Sequence, residues 1–284
     1  DDSLDGGAGD DVAIYGGSFA DYVITPVLDG SGAVIGFSSV EDANAGDGDE
    51  GTDSLTGIET LEFADAVFSV GDPIAVFSDV SKNSLVGLFT SLEAALAAAP
   101  TGALIELGAG TYTATGVLTV DTPVTLQGLG GAVIDAYVEV TADGVTIDDV
   151  EFTETYGELG GVDQVLWTGN DGTLTNSTFV DADVALNNNQ LWWTGENGTI
   201  TGNTFDRSAG DQGAASVGLY GITSVDFSNN DVINGRVGVQ ISGVEGDGAV
   251  TIQNNTVTTP AAFSSFFFIG GVPASGATAP LAEG

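Results

Sequence analysis

The chain has 284 residues, 42% of them apolar, with 43 glycines and neither cysteine nor histidine. Its 41 Asp and Glu face three cations, Lys82, Arg207 and Arg236, and the resulting charge of -38 repels nucleic acid and anionic membrane surfaces. Disulfides are excluded, and the apolar content argues for a folded, turn-rich β protein over the disorder that heavy net charge usually brings. No apolar run reaches membrane-spanning length; Phe266–Ile269 is far too short. Such self-repulsion calls for screening, which divalent cations held by carboxylates supply most locally. Calcium, a taker of several hard oxygen ligands, is the natural candidate.

The first motif comes at once. Leu4–Asp11 reads LDGGAGDD, and Gly6–Asp11 fits the nonapeptide G-G-x-G-x-D-x-U-x. Glycine-rich turns of that kind bind calcium through backbone carbonyls and the Asp, while the apolar U residue packs inside. Asp1–Asp5 fits the tail of a preceding copy, and the U position holds only Ala13, so the array is ending. The pattern resembles the RTX (hemolysin-type) calcium-binding repeat of bacterial secreted proteins. That resemblance implies a β-roll, with Gly7, Gly9 and Asp11 as ligands of one calcium ion and Asp2 belonging to the previous repeat. It also implies type I secretion to the extracellular space or cell surface. The stretches AIYGGSFADYVIT and GTDSLTGIETLEFADAVFSV resemble the segment that closes such arrays, which extends the module over residues 1–70. Asp47, Asp49 and Asp53, with Glu50, form an acidic cluster that reads either as a second calcium site or as a solvated loop. With no methionine and part of a repeat at its start, the chain reads as processed or excerpted from a longer one.

Residues 71–85 read as a linker. Ser91–Pro100, SLEAALAAAP, is the one convincing helix, with Ser at its start, Glu two residues on, Leu and Ala on most faces and Pro as the stop. Short β runs broken by Gly and Asp follow. A helix followed by ALIELGAGTY resembles the cap and first rung of right-handed parallel β-helix proteins, the fold of pectate lyases and many surface proteins. The expected fold is therefore all-β: an N-terminal RTX β-roll end module, a linker, and a right-handed parallel β-helix solenoid over 86–284 with one short capping helix.

The period argues for a solenoid without appeal to any family. Ile147, Leu174, Ile200, Phe227 and Ile252 each stand five residues before another large apolar one, at intervals of 27, 26, 27 and 25. Leu107 and Leu126 read as the same position in shorter coils upstream. With coils about 4.8 Å apart, aligned residues become columns. Phe152, Phe179, Phe205, Val232 and Val257 form an apolar ladder. Asn203, Asn230 and Asn255 form an amide ladder, with Asn176, Asn229 and Asn254 beside it. Trp167, Trp193 and Tyr220, each seven residues before its alignment residue, form an aromatic stack. Trp192 faces away from Trp193 on a strand, so one of the two is exposed, which suits a sugar-binding shelf or an intermolecular contact.

Enzymatic readings meet a shortage of groups. Proton abstraction beside a carboxylate, the chemistry of polysaccharide lyases and epimerases, needs a cation to neutralise the acid and a base of suitable pKa. The coils offer Arg207, level with Asp181 one coil earlier, and Arg236, level with Asp183 two coils earlier; both read first as partners of carboxylates. Tyr112, Tyr137, Tyr156 and Tyr220 have no spacing signature, and aspartates are so abundant that no hydrolytic pair stands out. No catalytic residue is assigned. The expected function is structural: an extracellular calcium-binding protein that self-associates into a surface layer, filament or adhesin, with a Phe-rich last coil at Phe263–Phe268 as a docking surface. The alternative is a secreted polysaccharide-modifying enzyme or a carbohydrate-binding solenoid.

Overall fold

The computed structural model describes residues 1–30, 32–44, 51–82, 84–153, 163–180, 189–207, 215–233, 237–243, 250–258 and 265–270. Within it the chain divides into two compact units, residues 1–110 with 124–130, and residues 111–123 with 131–284.

The first unit begins with two parallel strand pairs. Ser3–Asp5 lies parallel to Thr52–Thr56, with Leu4 opposite Leu55, and Val12–Ile14 lies parallel to Thr60–Glu62, with Ala13 opposite Leu61. Side chains alternate across these strands, so Ala13, Leu55 and Leu61 turn inward together, into a core shared with Tyr15, Tyr22, Phe63 and Phe68. The rings of Tyr22 and Phe63 stand 5.1 Å apart, a favourable tilted contact. Antiparallel strands complete the sheet: Tyr22–Leu28 pairs with Val34–Asp42, which pairs with Thr52–Thr56. The first of these pairings shifts register at Thr25/Pro26, where proline has no N–H to give the ladder.

Residues 71–85, expected as a linker, instead carry Ile74–Phe77, a strand buried at every position. It forms an antiparallel hairpin with Leu85–Phe89 and also pairs with Leu104–Leu107. The run IAVF shows no polar alternation because neither face meets water. Helix Leu92–Ala98 packs on Ile74–Phe77 and Leu85–Phe89, burying Leu92 and Ala95, and the Ser91 hydroxyl caps it by accepting the Ala94 N–H at 3.4 Å. Leu126 lies opposite Ile105, not Leu107, a correction of two residues that leaves the inward face inward.

The second unit is a parallel β-helix solenoid with three strand stacks. One runs through Thr146–Asp148, Thr173–Thr175, Gly198–Thr201, Val225–Ser228 and Val250–Gln253. Another runs through Glu151–Thr153, Thr178–Val180, Thr204–Asp206, Asp231–Ile233 and Thr256–Thr258. The third runs through Val138–Val140, Val165–Trp167, Leu191–Trp193, Ala215–Tyr220, Val237–Ser242 and Ser265–Gly270. The five alignment residues fall directly opposite one another from Ile147 to Ile252. So does the column from Phe152 to Val257, in which Phe152, Phe179 and Phe205 stack at 4.8 and 4.7 Å.

The amide ladder is present and directional. Asn203 Nδ2 donates to Asn230 Oδ1, and Asn230 Nδ2 to Asn255 Oδ1, both at 3.1 Å. Each Oδ1 also accepts the backbone N–H of the preceding Asn at 2.9 Å. Beside it, Asp149, Asn176, Asn229 and Asn254 turn the corner at φ of 56°, 50°, 57° and 55°, the left-handed geometry that Asn and Asp tolerate through local hydrogen bonds.

The aromatic stack divides in two. Trp167 and Trp193 are buried and stacked at 4.4 Å. Opposite Trp193 in the next coil, however, is Leu219, not Tyr220. The stretch from Leu219 to Phe227 is one residue longer than that from Trp193 to Ile200, and a slip of one residue on a strand reverses the face. Tyr220 therefore lies outside and stacks on the half-buried Trp192 at 4.3 Å.

Candidate functional site

Parallel pairing of Ser3–Asp5 with Thr52–Thr56 places a carboxylate-bearing turn at each end of the strand pair. At one end it joins Asp2 and Asp53, which the sequence had assigned to different clusters. The Asp2 N–H donates to Asp53 Oδ1 at 2.8 Å, and the Asp1 carboxylate accepts the Thr52 N–H at 2.6 Å. Asp47, Asp49 and Glu50 lie outside the described residues, so Asp53 alone represents the expected second cluster.

At the other end the Gly6–Asp11 turn stacks on Gly57–Glu59. Gly7 and Gly9 have φ of 84° and 141°, conformations that L side chains resist. The Asp11 carbonyl accepts the N–H groups of Glu59 and Thr60 at 3.2 and 3.1 Å, and the Asp11 N–H donates to Glu59 Oε2 at 3.0 Å. A Cβ on Gly6 would lie 2.1 Å from the Gly57 carbonyl oxygen and 2.6 Å from Asp11 Cβ, so this cradle closes only on glycine. Asp11 Oδ2 is buried with no hydrogen-bond partner. An unmet buried carboxylate oxygen is costly, and a cation satisfies it. The donor set, carboxylate and backbone carbonyl oxygen, fits calcium. Among the described residues no three acidic side chains gather in metal-binding geometry. A bound ion would therefore rely on Asp11, the carbonyls of the glycine turn and at most one further carboxylate.

Lys82, the lysine of the first unit, is paired with the buried Glu106 and lies 5.8 Å from the centre of the Phe77 ring. Burial pushes the Glu106 carboxyl up, and Lys82 opposes that rise.

The second unit holds a polar corner that the sequence reading missed. Gln164, Gln190, Arg207 and Ser216 are all buried where the second stack gives way to the third, Arg207 with 1% of its surface exposed. Gln190 Nε2 donates to the carbonyls of Phe179 and Asp206 at 3.1 and 2.9 Å, and Gln164 Nε2 to that of Val180 at 2.9 Å. Asp163 accepts both the N–H and the Nδ2 of Asn189, at 2.8 and 3.0 Å. Burial raises the Asp163 carboxyl against those hydrogen bonds and the attraction of Arg207. Burial, with help from the Asp163 charge, raises the Tyr220 hydroxyl. A signal was there to find: Asp163-Gln164 and Asn189-Gln190 recur 26 residues apart at one register position. Arg207 was expected on an acidic surface beside Asp181; Asp181, Asp183, Arg236 and Tyr156 lie outside the described residues. Tyr137 donates to Glu139 at 2.9 Å, and Tyr112 is buried, which raises its hydroxyl.

The aromatic shelf takes a different form from the one expected. Trp192 sits in register between Leu166 and Gly218, with the Tyr220 ring leaning over Gly218 to cover one of its faces. A sugar stacks on a ring face, and the neighbouring coil already occupies this one.

No family model matches the chain, and searches of the curated proteins and of the solved structures give no match.

Proposed function

We propose that this chain is an extracellular calcium-binding structural protein, a component of a cell-surface layer, filament or adhesin, with an RTX-type roll end in its first unit and a right-handed β-helix as its rigid body. The observation that carries this reading is the unmet, buried Oδ2 of Asp11 inside a turn that admits only glycine at Gly6. Asp11 and the carbonyls of Gly7 and Gly9 would hold the ion. Its charge offsets the self-repulsion of a chain with a net charge of -38, and it is plentiful outside the cell and scarce within. An acidic chain that folds only on meeting calcium suits type I export. The second unit supplies stiffness through its stacked rings and amides. Ile252 and Val257 are partly exposed where Ile200, Phe227, Phe205 and Val232 are buried, which favours end-to-end self-association.

Calorimetric melting with and without a chelator tests the metal. At a calcium concentration a hundred times Kd the first unit should gain about 2.7 kcal/mol, and a melt indifferent to chelation overturns the reading. Sedimentation at saturating calcium tests assembly, which a monomer at high concentration would refute.

One observation favours a second reading, a polysaccharide-modifying or -binding surface: the raised Asp163 carboxyl, with Arg207 and Tyr220 near it, has the perturbed titration common at functional sites. Unsaturated products released from alginate or pectate, and lost in Arg207→Ala, would replace the structural role with this one.

A further inference from the structure

Resting on the calcium reading above, we infer that Glu59 is the second carboxylate ligand of the ion held by the Gly6–Asp11 turn. Glu59 belongs to no nonapeptide repeat; its own turn reads Gly57-Ile58-Glu59 and comes from the next coil of the roll. Parallel pairing of Val12–Ile14 with Thr60–Glu62 sets that turn against Gly6–Asp11, and the bond from the Asp11 N–H to Glu59 Oε2 holds the Glu59 carboxylate beside Asp11.

Three features lie at this junction. Asp11 Oδ2 is buried and unmet. The Gly57 carbonyl oxygen and the Asp11 side chain border the same point, the place a Cβ on Gly6 would fill. The Gly7 carbonyl oxygen faces Gly57, 3.1 Å from where a Cβ on that residue would sit. Two carboxylates and two carbonyls thus come from both sides of the coil junction. The bond to the Asp11 N–H brings the Glu59 carboxylate to the residue whose Oδ2 is unmet, where a cation would bridge the two. Calcium accepts six to eight oxygens and binds more tightly as ligand charge rises. Of the two aspartates in the glycine turn Asp10 is exposed, and Glu59 provides a second carboxylate beside Asp11 from a turn with no repeat Asp.

The test is a calcium titration of the full chain by isothermal calorimetry, paired with melting of the first unit. Glu59→Gln should weaken the affinity of one calcium site by about tenfold or more and abolish most of the calcium-induced rise in Tm. Glu62→Gln, an exposed carboxylate on the adjoining strand, should change neither. If Glu59→Gln binds calcium as the parent does, Glu59 is no ligand, while the calcium reading stands on Asp11. If the parent itself gives neither binding heat nor a Tm shift, the calcium reading fails and this inference falls with it. Should Glu59→Gln melt abnormally without calcium, Glu59→Asp takes its place, since it keeps the charge and withdraws the carboxylate by one methylene. Undiminished affinity in Glu59→Asp also overturns the assignment.

Discussion

Both units stack turns on turns, but the side chains stacked differ in kind. In the second unit like sits on like: Phe179 lies between Phe152 and Phe205, and Asn230 between Asn203 and Asn255. Neutral groups stacked this way satisfy one another, because each ring covers the next and an amide both donates and accepts. In the first unit unlike groups meet: the backbone N–H groups of Asp2 and Asp11 donate to the carboxylates of Asp53 and Glu59. A carboxylate only accepts, so each of these draws its donor from the backbone, and Asp11 Oδ2 is left unmet. Periodicity thus rests on side chains meeting their like in one unit and on backbone donors meeting carboxylates in the other.

Removing a ring from the middle of the apolar ladder should have the largest effect. Phe179→Ala leaves a cavity flanked by two rings and should cost the second unit about 3–5 kcal/mol, measured by calorimetric melting. The calcium response of the first unit should be untouched; a cost shared between the two transitions would dissolve the contrast. Next comes the amide ladder. Asn230→Ala removes the acceptor of the Asn203 N–H and Nδ2 and strands buried donors, at about 1–3 kcal/mol in urea unfolding. Asn255→Ala, at the last of the described rungs, should cost less. Equal costs at the two positions would show that the amides act singly and not as a ladder.

The smallest effect concerns pH. Burial raises the Asp163 carboxyl, so the folded second unit holds that proton more tightly than the unfolded chain does. The stabilisation is complete below the ordinary aspartate range and disappears as pH rises through the raised value. The second unit should therefore gain stability as pH falls from about 7 toward the carboxylate range, and Asp163→Asn should flatten that gain. A profile identical in the variant would mean that Asp163 is not the group responsible.

How far the sequence could be read follows from the same contrast. The columns of Ile147 and Phe152 were legible because a repeat near 26 residues leaves one way to bury large apolar side chains in every coil. Tyr220 was misplaced because a count back from Phe227 cannot detect a turn lengthened by one residue, and one residue is enough to reverse a strand's face. Ile74–Phe77 passed for a linker because proline, aspartate and serine flank it, while its burial depends on the hairpin partner Leu85–Phe89 and on Leu104–Leu107 farther along the chain. Glu59 went unnoticed for a similar reason, since no local pattern marks a residue whose neighbour lies 48 positions away.

By itself the sequence determined the coil period, the inward columns, the Ser91 cap and the glycine-aspartate turn, since each follows from spacing or from the backbone geometry a single residue allows. The tertiary structure alone decided which turns meet, that Arg207 is interior, and that Asp2 joins Asp53 and Asp11 joins Glu59. Those pairings are fixed by strand register across dozens of residues, where a charge is placed by the hydrogen-bond ladder it rides on and not by its neighbours in the chain.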